Sequence, residues 1–261
     1  MRIVTFASGS TGNCSLISDG RVNILIDAGI SMRRVVSALA EYGLTPQDLC
    51  GVLITHEHSD HISGLPMLHK YYRLPIIAPP ELCAILKDVK PELSPSLNAV
   101  SVGELLNIHD TKIRSFRTPH DARFSVGYRF EGEGIFSFAT DTGMITDAML
   151  EGLSGADTAL IEANHDIEML RNGPYPYFLK KRILSDYGHL SNTECGKLAQ
   201  HLANGGTRRI ILGHLSRENN SPELAKSTVS AALEGLDMDV KVAPMCDFLE
   251  VNVGETQKCS V

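Results

Sequence analysis

The sequence predicts an α/β protein built as a four-layer αββα sandwich, two mixed sheets packed face to face with helices outside. Three observations carry this. Short strands arrive as local antiparallel hairpins in each half of the chain, which a doubly wound parallel sheet would not contain. Helical patterns lie between and after those hairpins instead of following every strand, the order expected when helices cover the outside of paired sheets. Several strands are short runs that are apolar throughout, such as Gly51-Val52-Leu53-Ile54, the signature of burial on both faces.

Taken in order, residues 2–6 alternate toward an apolar face, and Ser8-Gly9-Ser10-Thr11-Gly12-Asn13 makes a glycine-rich turn. Residues 14–18 and 22–27 are two strands joined by a short Asp-Gly turn, a hairpin signal. Ser31 is placed to cap a helix that runs to Tyr42 and closes at Gly43. The apolar strand at 51–55 stops at His56, and a helix follows over 63–72. The middle of the chain is β-rich, with strands at 105–108, 112–117, 125–131 and 135–140. Helical patterns return at 146–152, 176–187, 192–203 and 222–234, with apolar strands at 158–162 and 209–212 between them. The segment 91–95 carries the Ser and Pro signals of an exposed loop. No linker or repeat divides the chain, so 1–261 is expected to be one domain with a polar tail at 254–261.

Composition narrows the function. A chain of 261 residues should bury about three quarters of its unfolded surface, so it needs no disulfide or structural metal to fold. Its six cysteines (14, 50, 83, 195, 246 and 259) form no CxxC pair and read as reduced thiols. No apolar run approaches the ~20 residues of a membrane span. The start, Met1-Arg2-Ile3-Val4-Thr5-Phe6, turns glycine-rich too soon for a signal peptide. A cytoplasmic protein without membrane contact is the expectation. The net charge of −7 argues against wrapping nucleic acid with the whole surface, because phosphate neutralisation needs clustered Lys and Arg. It leaves room for a small phosphate-reading cleft.

Ten histidines stand out, and the decisive group is Thr55-His56-Glu57-His58-Ser59-Asp60-His61. Three imidazoles and a carboxylate within six residues are donors suited to divalent zinc or manganese. In an extended segment His56 and His58 point the same way, while Asp60 and His61, on the turn into the next helix, can face a second ion. Four ligands cannot fill two sites, so others must come from later in the chain. Three candidates follow predicted strands: His120 in Thr118-Pro119-His120-Asp121, Asp141 in Thr140-Asp141-Thr142-Gly143, and His214 in Leu212-Gly213-His214-Leu215. Asp141 is placed to bridge two ions.

His56-x-His58-x-Asp60-His61 with His120, Asp141 and His214 in that order resembles the metallo-β-lactamase fold superfamily over nearly the whole chain. Asp27 in Leu25-Ile26-Asp27-Ala28-Gly29 matches its first, mainly structural aspartate. More narrowly, Ser8-Gly9-Ser10-Thr11-Gly12-Asn13, Glu162-Ala163-Asn164-His165-Asp166, Gly188-His189-Leu190-Ser191-Asn192 and His214-Leu215-Ser216-Arg217-Glu218-Asn219-Asn220 resemble the WalJ/YycJ family of metal-dependent nucleases. The resemblance implies a first metal on His56, His58 and His120. It implies a second on Asp60, His61 and His214, with Asp141 between them: two divalent ions per chain, Zn2+ or Mn2+. Redox members of the superfamily carry Glu where this chain has His58, so the site reads as hydrolytic. Nucleases of the β-CASP type insert a domain for which the 73 residues from Asp141 to His214 leave no room. Secreted β-lactamases need an export signal.

The expected reaction is phosphodiester hydrolysis, by an exonuclease acting on DNA or RNA. A metal-bridging hydroxide beside the catalytic Asp60 and Asp141 would attack phosphorus. His189 is the candidate general acid for the departing alkoxide; its Gly-His-Leu-Ser setting is similar to the His-x-Thr element of tRNA 3′-processing nucleases, and a role as an extra ligand stays open. His165 either lines the cleft or holds its own loop. Ser216 is a candidate phosphate contact, and Asn13 a candidate contact from a glycine-rich turn that is no P-loop, lacking Gly-Lys-Ser/Thr. Glu162 is expected to support a ligand from behind. Glu57 should be solvated or support a ligand, and His69, His109 and His201 should lie on the surface. Local basic groups at Arg33-Arg34, Lys70 to Arg73, Lys180-Lys181-Arg182 and Arg208-Arg209, two of them beside tyrosines or Phe178, suit single-stranded nucleic acid or its ends. Two alternatives remain at this point: a small-molecule hydrolase acting on a cyclic phosphodiester, lactone or thioester, and a non-catalytic signalling module braced by metal.

Overall fold

The computed structural model describes residues 1–254, so the polar tail expected at 254–261 lies, apart from Gly254, outside the described residues, as does Cys259. The first half runs β1 (Arg2–Ala7), β2 (Cys14–Asp19), β3 (Val22–Ile26), α1 (Met32–Glu41), β4 (Gly51–Leu53), α2 (Ser59–Ile62), α3 (Leu65–Tyr72), β5 (Ile76–Ala78), α4 (Pro80–Val89) and β6 (Leu97–Ala99). The second half begins with β7 (Leu105–Ile108), β8 (Thr111–Arg117), β9 (Val126–Glu131) and β10 (Ile135–Ala139). It continues through α5 (Asp147–Leu153), β11 (Thr158–Glu162), α6 (Ile167–Asn172), α7 (Tyr177–Ile183) and α8 (Asn192–Asn204). β12 (Arg209–Gly213), α9 (Pro222–Ala232), β13 (Asp239–Val242) and β14 (Leu249–Asn252) close the chain.

Two seven-stranded mixed sheets result, ordered β14-β1-β2-β3-β4-β5-β6 and β13-β12-β11-β10-β9-β8-β7. Each is antiparallel where hairpins supply neighbouring strands and parallel where helices intervene, as from β3 to β6 and from β10 to β13. The exception to this division by halves is β14, which pairs with β1 and ties the end of the described chain to the first sheet. Between the sheets lies an apolar layer that includes Ile17, Ile24, Phe130, Phe136, Leu160 and Ile211. A second cluster packs α1, α3 and α4 on the outside of the first sheet, and a third packs α5, α8 and α9 on the outside of the second. The four layers expected from the sequence are therefore present. Wholly apolar strands are explained too, since a strand covered on both faces has no side that wants polar residues.

Caps set several boundaries. Ser31 accepts from the Arg34 amide at 3.4 Å and Ser191 from the Glu194 amide at 3.2 Å, starting α1 and α8. Gly43, at φ +70, ends the α1 turn. Other elements differ from expectation. The helix expected over 63–72 is α3, begun with Pro66 in its first turn, and a separate short helix, α2, precedes it and already contains Asp60 and His61. The helix expected over 176–187 ends at Ile183, because the chain folds back so that Gly188 lies against the Ile183 and Arg182 carbonyls. The loop expected at 91–95 is a 3-10 helix, Pro91–Ser96, pinned by fully buried Leu93. His69 is not a surface residue: it is buried on α3 with its Nδ1 2.8 Å from Ser96 Oγ. Strands β5, β6, β13 and β14 and helices α4 and α6 had no sequence counterpart. The four strands are three or four residues long, too short for a period to register. No helix among the described residues is long and apolar enough to cross a membrane.

Candidate metal centre

The candidate site is assembled at the ends of β3, β4, β8, β10, β11 and β12, where Asp27, Thr55, His120, Asp141, Glu162 and His214 sit at or just beyond the last strand residue. Three of these, Asp27 (φ +60), Asp141 (φ +56) and His214 (φ +54), have left-handed backbone. Such a conformation is uncommon outside glycine and persists only where the surroundings enforce it. Here it turns each side chain off its strand toward a common centre. The His-rich loop is brought in by a close approach: a Cβ on Gly29 would lie 1.5 Å from the Asp60 carbonyl oxygen.

Four groups of donor atoms gather, each within 4.8 Å of one another: His56, His58 and His120; Asp60, His61 and His214; His56, His61 and Asp141; and Asp141, Glu162, His189 and His214. The seven residues singled out as ligands in the sequence are all in this assembly. Asp141 belongs to two of the groups and lies 3.3 Å from His61 Nε2 and 3.5 Å from His214 Nδ1.

Most of the imidazoles are held from behind by Nδ1. His61 Nδ1 lies 2.7 Å from Asp27 Oδ2, His56 Nδ1 lies 3.0 Å from Thr55 Oγ1, His120 Nδ1 lies 3.1 Å from the Gly188 carbonyl, and His214 Nδ1 lies 2.8 Å from Glu162 Oε1. Nδ1 engaged by an acceptor is the arrangement that fixes the tautomer of a metal-binding histidine and leaves Nε2 as its ligand atom. His56 Nε2, His214 Nε2 and Asp141 Oδ2 are buried without a hydrogen-bond partner among the described residues. Buried polar atoms without partners are costly, and divalent cations held by these groups would satisfy them. The donor set, imidazole and carboxylate throughout, fits such an ion.

Electrostatics follow the same geometry. Burial pushes the His56 and His120 imidazoles below their usual range. Burial opposes charge on His61 and His214 as well, but Asp141 beside both, with Asp27 on the first and Asp60 and Glu162 on the second, lifts them, His214 to about 10. Burial would raise Asp60 and Asp141; the His214 and His61 rings beside both of them outweigh it and hold the two carboxylates well down. Positive charge is thus favoured at the centre.

Glu162 emerges as the organiser. It is fully buried; its Oε1 accepts from both His189 Nδ1 and His214 Nδ1 at 2.8 Å, and its Oε2 accepts from the Thr142 amide at 2.9 Å. Burial opposes its ionisation, but the His189 charge and these hydrogen bonds bring its carboxyl down to about 2. The two rings it holds differ in exposure: the His214 side chain is 3% exposed and His189 19%.

The weaker candidates are placed as follows. Asn13 does reach the centre, with Nδ2 3.0 Å from His61 Nε2 and 3.4 Å from Asp60 Oδ2, while its Oδ1 accepts from the Gly9 amide. Ser216 Oγ is taken up inside its own turn by the Asn219 amide at 3.2 Å. His165 is buried outside the four donor groups, and burial pushes its imidazole down to about 4. Glu57 turns from the flanking histidines to accept from the Arg123 amide at 2.7 Å. Sequence reasoning missed Thr55, Asn164, which donates to the His214 carbonyl at 2.9 Å, and Ser8, which accepts from the His214 amide at 2.9 Å. Small polar residues carry no periodic signal, so only their position beside strand ends hinted at them.

A fold of two mixed sheets with a His- and Asp-rich centre at their strand ends defines a class, and the chain belongs to the metallo-β-lactamase superfamily: the model of the beta-lactamase superfamily domain matches residues 22–215. Within it the relatives are specific. The chain is 40% identical over 240 residues to the exodeoxyribonuclease WalJ of Streptococcus pneumoniae, covering 90% of this chain and 89% of that protein. It is 37% identical over 230 residues to the exodeoxyribonuclease YycJ of Bacillus anthracis, covering 87% of each. Among solved structures, the metallo-beta-lactamase fold protein YhfI from Bacillus subtilis superposes with a TM-score of 0.72 at 17% identity, over 96% of this chain and 99% of that one. The last is a likeness of fold alone.

Proposed function

We propose that this chain is a metal-dependent exonuclease that hydrolyses phosphodiester bonds at the ends of DNA. The observation that carries the reading is two donor groups, His56/His58/His120 and Asp60/His61/His214, gathered around Asp141 beside a partly exposed histidine; the names of the two relatives direct it toward DNA. His56, His58 and His120 would hold one divalent ion, and Asp60, His61 and His214 a second, with Asp141 between. Such ions supply an activated water at neutral pH and clamp the oxygens of a displacement at phosphorus. Asp27, Thr55 and Glu162 orient the rings. Asn13 positions Asp60 and His61 from the glycine-rich turn.

His189 is the proton donor. Its Nδ1 is engaged by Glu162, which leaves Nε2 toward the open side. Burial disfavours its charge, but the Glu162 carboxylate outweighs burial and raises its pKa. A histidine kept protonated and partly exposed can hand its proton to a leaving alkoxide.

The test is cleavage of end-labelled oligodeoxynucleotides by protein stripped with a chelator and then reloaded with Zn2+ or Mn2+. Activity should vanish on stripping and return on reloading; undiminished activity in the stripped protein would overturn the reading. Metal affinity should also depend on pH. Ligand histidines must be neutral to bind, and His214 is raised to about 10 in the metal-free chain. Affinity should therefore climb by about tenfold per pH unit for each proton displaced as pH rises above the usual imidazole range. Calorimetric titrations in buffers of different ionisation enthalpy read the protons released; a pH-independent affinity contradicts the expectation.

A further inference from the structure

The three most exposed large hydrophobic side chains among the described residues lie within one short segment: Tyr177 at 81%, Phe178 at 73% and Tyr187 at 61%. The segment is fastened, not loose. Lys180 Nζ donates to the Arg171 carbonyl at 2.7 Å, Arg182 Nε donates to the Asp121 carboxylate, and the His189 amide donates to the Ile183 carbonyl at 3.0 Å. It is also continuous with the candidate site. The Gly188 carbonyl accepts from His120 Nδ1, and Gly188 precedes His189. Gly143, two residues past Asp141, packs so closely that a Cβ there would lie 2.4 Å from the Gly188 amide nitrogen.

Helical spacing places Phe178 and Arg182 on one face of α7, and Tyr177 and Lys181 on the next. Arg182 meets Asp121, the residue after His120, and Phe178 lies one turn, about 5 Å along the helix, from Arg182. Exposed rings clustered like this mark an interaction surface. Cations lie between the rings along the segment, Lys181 among them and exposed. An apolar protein partner would be met by charge across the middle of this patch. Unpaired nucleotides suit it on both counts, because each base has a face to stack and each link a phosphate to neutralise. A duplex offers a stacking face only at its terminal pair.

We propose that Tyr177, Phe178 and Lys181 form a docking platform for the unpaired nucleotides of a single strand whose end occupies the site. The inference rests on the nuclease reading above, and narrows its substrate to ends with a single-stranded stretch. The test uses the full-length, metal-loaded protein, a labelled single-stranded oligodeoxynucleotide, and thymidine 5′-p-nitrophenyl phosphate, which is too short to span both site and platform. In Tyr177→Ala/Phe178→Ala the KM for the oligonucleotide should rise about tenfold or more, with kcat and turnover of the short ester kept. Phe178→Trp should retain the low KM. Lys181→Ala should lower the slope of log affinity against log salt by about 0.7, the share of one phosphate on a single strand. An unchanged KM in the double variant, or an equal loss on the short ester, overturns the platform. Failure of the unaltered protein to cut any oligonucleotide while it turns over the short ester overturns the nuclease reading instead.

Discussion

Substituting His58→Ala should lower the rate of oligonucleotide cleavage by about 10³-fold or more. Metal-borne charge stabilisation supplies several kcal/mol to a displacement at phosphorus, and each 1.4 kcal/mol or so is tenfold in rate. The fold should survive. His58 is half-buried at the start of α2, where it makes no side-chain cap, and its ring packs against the other histidines of its group, His56 and His120. Metal analysis and thermal unfolding separate the two effects: less metal bound with a kept unfolding midpoint is expected. Full activity in this variant would remove His58 from the site and leave the first donor group one ligand short.

Substituting His189→Ala should cost about 10² to 10⁴ in kcat, the range of general acid catalysis, with metal content unchanged. The leaving group decides whether the role is that of an acid. A nitrophenyl leaving group departs without a proton, so the variant should cleave such an ester almost as fast as the unaltered protein; a natural phosphodiester should be cut slowly. Equal losses on both substrates would make His189 a metal ligand. The pH profile provides a second readout. An acid must be protonated, so activity falls as pH rises through the His189 pKa, which the Glu162 carboxylate lifts above its ordinary value. Glu162→Gln keeps the shape and removes the charge. It should move that alkaline limb to lower pH and, by loosening His214 as well, cost about 10- to 100-fold in activity.

The shared carboxylate explains why neither effect is expected to be independent of the other. Glu162 binds both rings through one oxygen, so a change at His189 alters the environment of His214. Residues joined in one network couple, and a His189→Ala/Glu162→Gln double variant should lose less than the product of the two single losses.

Much of this was legible in the chain. The three imidazoles of His56, His58 and His61 and the carboxylate of Asp60 are local, and their chemistry is set by residue type. His120, Asp141 and His214 could be matched to them because each follows an apolar run whose end is visible as a break in hydrophobicity. The sandwich followed from hairpins and wholly apolar strands, since a strand buried on both faces must be apolar wherever it sits. The short strands β5, β6, β13 and β14, at or next to the sheet edges, did not show, because three or four residues hold too little periodicity to outweigh their neighbours.

What the sequence determined by itself was therefore the donor set, the layer architecture and the family resemblance, all of which depend on residue type and local order. What only the tertiary structure decided was how the donors are aimed and which are held. The left-handed turns at Asp27, Asp141 and His214 lie at the ends of three different strands, and the Gly29 approach to Asp60 and the Glu162 bridge between His189 and His214 each join segments tens of residues apart. Contacts of that kind are set by how the two sheets pack, and packing leaves no periodic trace in the local sequence.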